Sequence, residues 1–359
     1  MTPLSIAFVP LTDSAVLVAA RERGFAEAEG LDLSLVKCTS WATLRDRLVF
    51  GQVQAAHMLA PLAVAVTLGL SQHPARIVAP FRLGMNGNAL TLAKDFAAAL
   101  DPKPSNRISD PVATAHDFAS AIGMHRRKPV IGVVHRFSSH ALTLRYWLGF
   151  AGVDPDRDIT LRVLPPSLLV EALRGGEIDG FMAGEPWNSA AVDAGLGEIG
   201  ATTAAIWPKS VEKTLAARAD WAEANGDVLA RLVGSLIQAA AWCDNSENHP
   251  ELAALLAREA CVGQPEELIQ AGLDGQLTLR KGDAPISQPN FIKFHGPDAN
   301  RPQPAHGEWI FEQFLRWGMV DDDDQARASA AGVFDDAVYR AVLGDAVAPA
   351  APIRLFDSI

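Results

Sequence analysis

Cysteine is scarce. Cys38, Cys243 and Cys261 are the three in 359 residues, widely spaced and odd in number. No Cys-x-x-Cys pair and no Cys/His ligand spacing occurs, which argues against a structural zinc site. Buried free thiols are the expected state, with one disulfide as the alternative. No apolar run is long enough to span a membrane. Positive charge is also short: the formal net charge is −11, which argues against direct binding to nucleic acid or to an anionic membrane. A site for a small anion must therefore be made locally, from dipoles and a few cations. The signatures of nucleophilic, metallo- and nucleotide enzymes, namely GxSxG, HExxH, a P-loop and GxGxxG, are missing too. Binding is expected rather than catalysis, with no cofactor. No basic and apolar leader precedes the first strand, so a cytoplasmic location is expected; a periplasmic one is the alternative if a signal was removed.

What is present is ample for a folded core. Hydrophobic residues make up 49% of the chain, enough for one large or two medium domains. The stretch that organises the rest is Ile131 to Trp147, IGVVHRFSSHALTLRYW. Pro129–Val134 is apolar and β-branched and reads as a buried strand. Ser138 and Ser139 stand where a helix N-cap belongs, and His140 opens the helix. Its free backbone N–H groups and the positive end of its dipole suit an anion.

The same strand-then-helix grammar runs along the chain. Strands are expected at Leu4–Val9, Leu31–Lys37, Val53–Met58, Arg76–Leu83, Ala89–Ala93, Asp158–Val163, Ile178–Met182 and Gly197–Thr202. Helices are expected from a Thr12 or Asp13 cap to Ala26, over Trp41–Phe50 behind a Ser40 cap, from Pro61 to Leu70, near Ala113–Met124, over Leu168–Arg174 and from Pro186 at a first helical position. From Val211 onward the chain reads as mostly helical, with Lys213 in a polar link. Asp321–Asp324 reads as a solvated acidic loop and Ala346–Pro352 as a surface tail. Repeated βα units point to an α/β fold with mainly parallel sheets. Two passages echo one another: LVFGQVQAAH (48–57) and ALRGGEIDGF (172–181) each run helix end, glycine, short strand. Two similar lobes with a ligand cleft between their carboxyl strand edges are the expectation.

Helix starts that such a cleft would use lie at Thr12/Asp13, Ser40/Trp41, Ser139/His140 and Pro186/Trp187. Trp41 carries an indole N–H and a flat face. Asn88 follows Gly87 at the start of a strand. Asp179 lies inside a strand and Glu185 just past its end; a carboxylate pair is one reading, though nothing in the spacing fixes it. His57, His116, His125, His135 and His140 are scattered and share no helix face suited to a metal.

These residues also resemble a known family. PLTDSA (10–15), CTSWATLRDRLVFG (38–51), MNGNALTLAK (85–94), SSHALTLRYWL (138–148), GEPWN (184–188), EKTLAARADW (212–221) and AWCDNSEN (241–248) are similar, in order, to the nitrate/bicarbonate-binding proteins of ABC transporters. The resemblance implies a two-lobed periplasmic-binding-protein fold of the second type. One lobe would be 1–86 plus 187–359 and the other 87–186, with crossings near 84–90 and 183–190. It nominates Trp41, Gly87, Asn88, His140, Pro166 and Lys213 as ligand residues, with Thr12, Asp13, Ser139 and Glu185 as further candidates. Asn88 stands where the family's transport proteins carry Gln, one methylene longer. Lys213 stands where bicarbonate binders tend to carry an acidic residue, so the resemblance implies nitrate or nitrite. A lining made only of donors suits a flat monovalent oxyanion. The missing leader resembles the cytoplasmic nitrate sensor of nitrate-assimilation operons, which implies an RNA-binding antiterminator as partner. A transport receptor working with an ABC permease is the alternative. An enzyme of the thiamine-pyrimidine-synthesis type is the second alternative; it would need an iron- or PLP-competent His/Lys set.

Overall fold

The computed structural model describes residues 1–125, 127–344 and 352–358. The expected tail at Ala346–Pro352 therefore lies almost wholly outside the described residues. Among those described, ten strands build two five-stranded sheets. They are β1 (Thr2–Phe8), β2 (Leu31–Lys37), β3 (Ala55–Leu59), β4 (Ile77–Arg82), β5 (Asn88–Ala93), β6 (Val130–Val133), β7 (Thr160–Val163), β8 (Gly180–Gly184), β9 (Gly197–Thr202) and β10 (Lys213–Arg218). The chain divides into two compact units. Unit 1 is Met1–Met85, Val211–Gly263 and Lys293–Ile353; unit 2 is Asn86–Ser210, Gln264–Ile292 and Arg354–Ile359.

The sheet of unit 1 has the order β2-β1-β3-β10-β4. β1 pairs in parallel with β2 and β3, whereas β10 is antiparallel to both β3 and β4. One strand of the five is thus reversed. β2 alternates buried Leu31 and Leu33 with exposed Asp32 and Ser34, as an edge strand does. β3, inside the sheet, is buried at all five residues, so alternation disappears. Helix Gly226–Asp244 lays Leu229, Leu232, Val233, Leu236, Ala239, Ala240 and Cys243 along one stripe of helical period.

The sheet of unit 2 has the order β7-β6-β8-β5-β9. β6 pairs in parallel with β7 and β8, and β5 is antiparallel to β8 and β9. With strands named by their order after the unit's first, both sheets read second, first, third, reversed, fourth. The echo at 48–57 and 172–181 falls on the third strand of each sheet and the helix before it.

The structure corrects several expectations. Each sheet is mixed, because the strand that follows the chain's entry into the unit runs backwards. β10 occupies residues read as a polar link in a mostly helical region. Thr214 to Ala217 are buried on both faces between β3 and β4, which hides any strand alternation in the sequence. The first helix starts as a 3-10 turn at Thr12–Ser14 and runs as Ala15–Glu22; it stops short of Ala26 because Gly24 adopts φ +75°. Neither Thr12 nor Asp13 caps it. Pro186 is the residue before helix Trp187–Asp193 rather than its first residue. Asp323 caps a helix, Asp324–Gly332, by accepting from Ala326 N at 2.7 Å, so the acidic run is in part a helix start.

The unit boundaries also differ from the expected lobes. Residues 187–210 stay with unit 2 because β9 pairs with β5. Gln264–Ile292 returns to it as well. There Arg280 binds Glu198 at 2.7 Å, Gln288 donates to Thr202 Oγ1 at 2.7 Å, and Leu277, Leu279 and Phe291 pack with Ala89, Ile108 and Ile199. All three cysteines are free and buried. No helix among the described residues is long and apolar enough to cross a membrane.

Candidate functional site

Candidate residues gather at one edge of each sheet. In unit 1, β1, β2, β3 and β4 run one way and end at that edge, while the reversed β10 begins there with Lys213. The loop after β1 supplies Thr12 and Asp13. The helix after β2, Trp41–Val49, is capped by Ser40, whose Oγ accepts from Thr43 N at 3.1 Å; its first residue is Trp41. β3 supplies His57.

These side chains form a buried charge cluster. Lys213 Nζ lies 2.6 Å from Asp13 Oδ2 and 3.5 Å from Glu212 Oε2. Asp13 Oδ1 lies 3.0 Å from His57 Nε2. The rings of His57 and Trp41 are 5.6 Å apart, centre to centre. Burial pushes the Asp13 carboxyl up, but Lys213 and His57 outweigh it and hold the group well below the usual carboxylate range. Burial likewise opposes the Lys213 charge, and Asp13 and Glu212 outweigh it, so the ammonium holds its proton more tightly than usual. Arg82 extends the cluster: burial lowers its guanidinium to about 10 against the opposing charges of Asp298 and Glu212. Trp41 Nε1 and Thr12 Oγ1 are buried and have no hydrogen-bond partner among the described residues. Such orphaned groups cost stability unless something else satisfies them.

The corresponding edge of unit 2 starts β5 with Asn88, paired across from Gly184 at the end of β8. Asn88 is fully buried, and Thr203 Oγ1 donates to its backbone oxygen at 3.2 Å. Gly87, at φ +81°, donates its N–H to Phe291 O at 2.6 Å and accepts from Glu185 N at 3.0 Å. A Cβ at Gly87 would stand 3.0 Å from Ile292 Cδ1, so this position needs glycine. After β6, Ser138 caps helix Ser139–Phe150 by accepting from Ala141 N at 3.2 Å. Ser139 and His140 fill its first turn and are both buried. Thr143, one turn on, carries a buried hydroxyl with no partner among the described residues. After β7, Pro166 is buried and opens a 3-10 turn, Pro166–Leu168, whose other two residues are exposed. Glu185, just past β8, accepts from Ser189 N at 3.2 Å through Oε2, while Oε1 is buried and unpartnered among the described residues. Burial pushes its carboxyl up to about 7, against hydrogen bonds from Ser189 and Asn188.

Thr12, Asp13, Trp41 and Lys213 thus lie in unit 1, and Gly87, Asn88, Ser139, His140, Pro166 and Glu185 in unit 2. Asp179 and Glu185 form no pair. Asp179 binds Arg127 at 2.8 Å before β8 begins, and the whole of β8 separates it from Glu185. The lining of unit 1 is not made only of donors, since the Asp13 and Glu212 carboxylates belong to it. Sequence reasoning missed the roles of His57 and Glu212. A histidine inside an apolar strand and a glutamate beside a nominated lysine were the available signals. No group of three or more His, Cys, Asp or Glu suited to a metal occurs among the described residues.

Comparison with known proteins agrees with the fold. A model described as the NMT1-like family matches residues 1–257. The chain is 36% identical over 320 residues to the nitrate import ATP-binding protein NrtC of Synechocystis, covering 89% of this chain and 46% of that one. It is 31% identical over 334 residues to the nitrate/nitrite binding protein NrtA of Synechococcus elongatus, covering 90% of this chain and 74% of that one. The crystal structure of the periplasmic nitrate-binding protein NrtA from Synechocystis superposes with a TM-score of 0.88 at 26% identity, covering 100% of this chain and 95% of the other. The chain spans about half the length of NrtC and of the bicarbonate transport protein CmpC, 46% and 52%.

Proposed function

The chain belongs to the NMT1-like family and has the fold of the periplasmic binding proteins, and on that premise we propose that it is a solute receptor for a small planar oxyanion, nitrate or nitrite, serving an ABC-type importer. The observation that carries the reading is the pair of buried donors in unit 1: the unpartnered Trp41 indole N–H and the Lys213 ammonium at the start of β10. Trp41, Asn88, His140 and Lys213 are the residues proposed to meet the anion. Gly87 supplies the backbone turn that sets Asn88, and Pro166 a wall.

Nitrate is flat, singly charged and accepts hydrogen bonds in its plane. An indole N–H, an amide, an imidazole N–H and an ammonium can all donate to it. The reading is one of binding without chemistry. The names of NrtA support the anion and a periplasmic setting. Those of NrtC and CmpC support a transporter with an ATP-binding partner, and a permease is the further partner of this proposal. The ATP binding in the latter names is not carried over, because this sequence holds no P-loop. The cytoplasmic sensor with an antiterminator partner draws no support from these relatives, so the receptor reading is preferred.

A four-atom ligand contributes at most about 1.5 kcal/mol per heavy atom, or about 6 kcal/mol in all, which corresponds to a dissociation constant of roughly tens of micromolar. Isothermal titration against nitrate, nitrite and bicarbonate tests the reading. Saturable heat with nitrate or nitrite is expected; absence of heat and of thermal shift at millimolar anion overturns it.

A further inference from the structure

Four charged side chains are buried together in unit 1. Asp13 is 7% exposed, and Arg82, Glu212 and Lys213 are each 1% exposed. Two are acids and two are bases, so the formal charges of these four cancel, and the nearby Asp298 carboxylate, which also acts on Arg82, adds only negative charge. Lys213 sits between two carboxylates, at 2.6 Å from Asp13 and 3.5 Å from Glu212, and the charge of Glu212 also acts on Arg82. An anion that reaches this ammonium does not meet an isolated cation. It meets a cation already compensated, with the Asp13 carboxylate in contact with the same nitrogen.

The cost of an uncompensated buried charge rises with the square of that charge. One added negative charge leaves the cluster at minus one. Two leave it at minus two, at about fourfold the cost. The stronger hydrogen bonds of a dianion do not grow that fast. We infer that Asp13 is a specificity-determining residue, which restricts the site to singly charged oxyanions and turns dianions of similar size away. This rests on the reading above that Lys213 meets the anion. Its contribution lies in the sign and number of charges admitted, and it is independent of which planar monoanion is bound.

The test compares nitrate with sulfite at alkaline pH, where sulfite is a dianion that also has three oxygens, and with sulfate. Titration calorimetry on the full chain gives the preference for nitrate over each dianion, for the unaltered protein and for Asp13→Asn. The amide keeps the size and one acceptor oxygen of Asp13 and removes its charge. A strong preference in the unaltered protein, reduced about tenfold or more in Asp13→Asn, is expected. Glu212→Gln removes one charge at a longer distance from Lys213, 3.5 Å against 2.6 Å, so it should reduce the preference as well, and by less. It decides the matter should Asp13→Asn not fold.

Three results overturn the inference: an unaltered protein that binds sulfite as well as nitrate, a variant that binds nitrate with its preference unchanged, or a folded Asp13→Asn that has lost every anion. The last would make Asp13 a support for the position of Lys213 only. An unaltered protein that binds none of nitrate, nitrite and bicarbonate overturns the receptor reading itself, and so is told apart from these three.

Discussion

Asn88 and Lys213 hold the same place in two copies of one strand order. Each is the first residue of the reversed strand of its sheet, β5 or β10, and each faces the last residue of that unit's third strand, Gly184 or Leu59. The other candidates pair in the same way. The segment after the first strand supplies Asp13 in unit 1 and His140 in unit 2. The segment after the second strand supplies Trp41 and Pro166. Equivalent backbone positions thus carry different side chains. At the ends of the first and reversed strands, unit 1 places the ion pair of Asp13 with Lys213, and unit 2 places His140 in a capped helix start and the Asn88 amide.

Lys213 is the residue on which stability and binding both turn. Lys213→Met leaves the Asp13 carboxylate buried without its closest ion-pair partner, which should cost about 3 kcal/mol of unfolding free energy and remove anion binding. The double variant Asp13→Asn with Lys213→Met should recover much of the stability and none of the binding. Urea unfolding and calorimetry of the two variants check both parts.

Trp41→Phe keeps an aromatic ring in the same space and removes an N–H that no described residue satisfies. Stability should change by no more than about 1 kcal/mol, in either direction. Nitrate affinity should fall about tenfold, equivalent to about 1.5 kcal/mol for a hydrogen bond to a charged acceptor. A melting curve and a titration on the same sample separate these outcomes.

Glu185 makes stability depend on pH. Its carboxyl is raised from 4.5 to about 7 by burial. Below the lower value both folded and unfolded chains hold the proton, and above the higher value both have lost it. Between them the folded chain keeps a proton that the unfolded chain releases, so each rise in pH favours unfolding. Stability should drop by about 3 kcal/mol across that window. Glu185→Gln should flatten this part of the profile. Denaturant midpoints measured on either side of the window give the answer, and an unchanged profile in the variant would show that Glu185 is not its source.

Gly87→Ala should be costly for two reasons that add. The backbone sits at φ +81°, and the new methyl would press on Ile292. A loss of about 2 kcal/mol is expected. Because Gly87 precedes Asn88 directly, anion affinity should fall as well, as titration of the folded variant would show.

Much of this was readable in the residues themselves. β2 and β9 fall where alternation and turn signals put them, and Ser40 and Ser138 cap the helices they were expected to cap. Local chemistry suffices there: an edge strand alternates, and a hydroxyl before a periodic run caps it. β10 was hidden because Thr-Leu-Ala-Ala is a short, alanine-rich run buried on both faces, and only its slot between β3 and β4 makes it a strand. The ion pair of Asp13 with Lys213 joins residues two hundred positions apart, and nothing in the neighbourhood of either announces the other. The return of Gln264–Ile292 to unit 2 depends on Arg280 finding Glu198, again a partner distant in sequence.

The reversed strands also bear on how the chain comes off the ribosome. β3 and β4 share no ladder of their own; β10 bridges them, and it is made only after all of Asn86–Ser210. Unit 2 in turn waits for Gln264–Ile292. Neither half can be finished while it is the newest part of the nascent polypeptide, so the first sheet emerges with an open slot. Chaperone contact should concentrate in that interval, and a fragment ending at Ser210 should aggregate rather than fold.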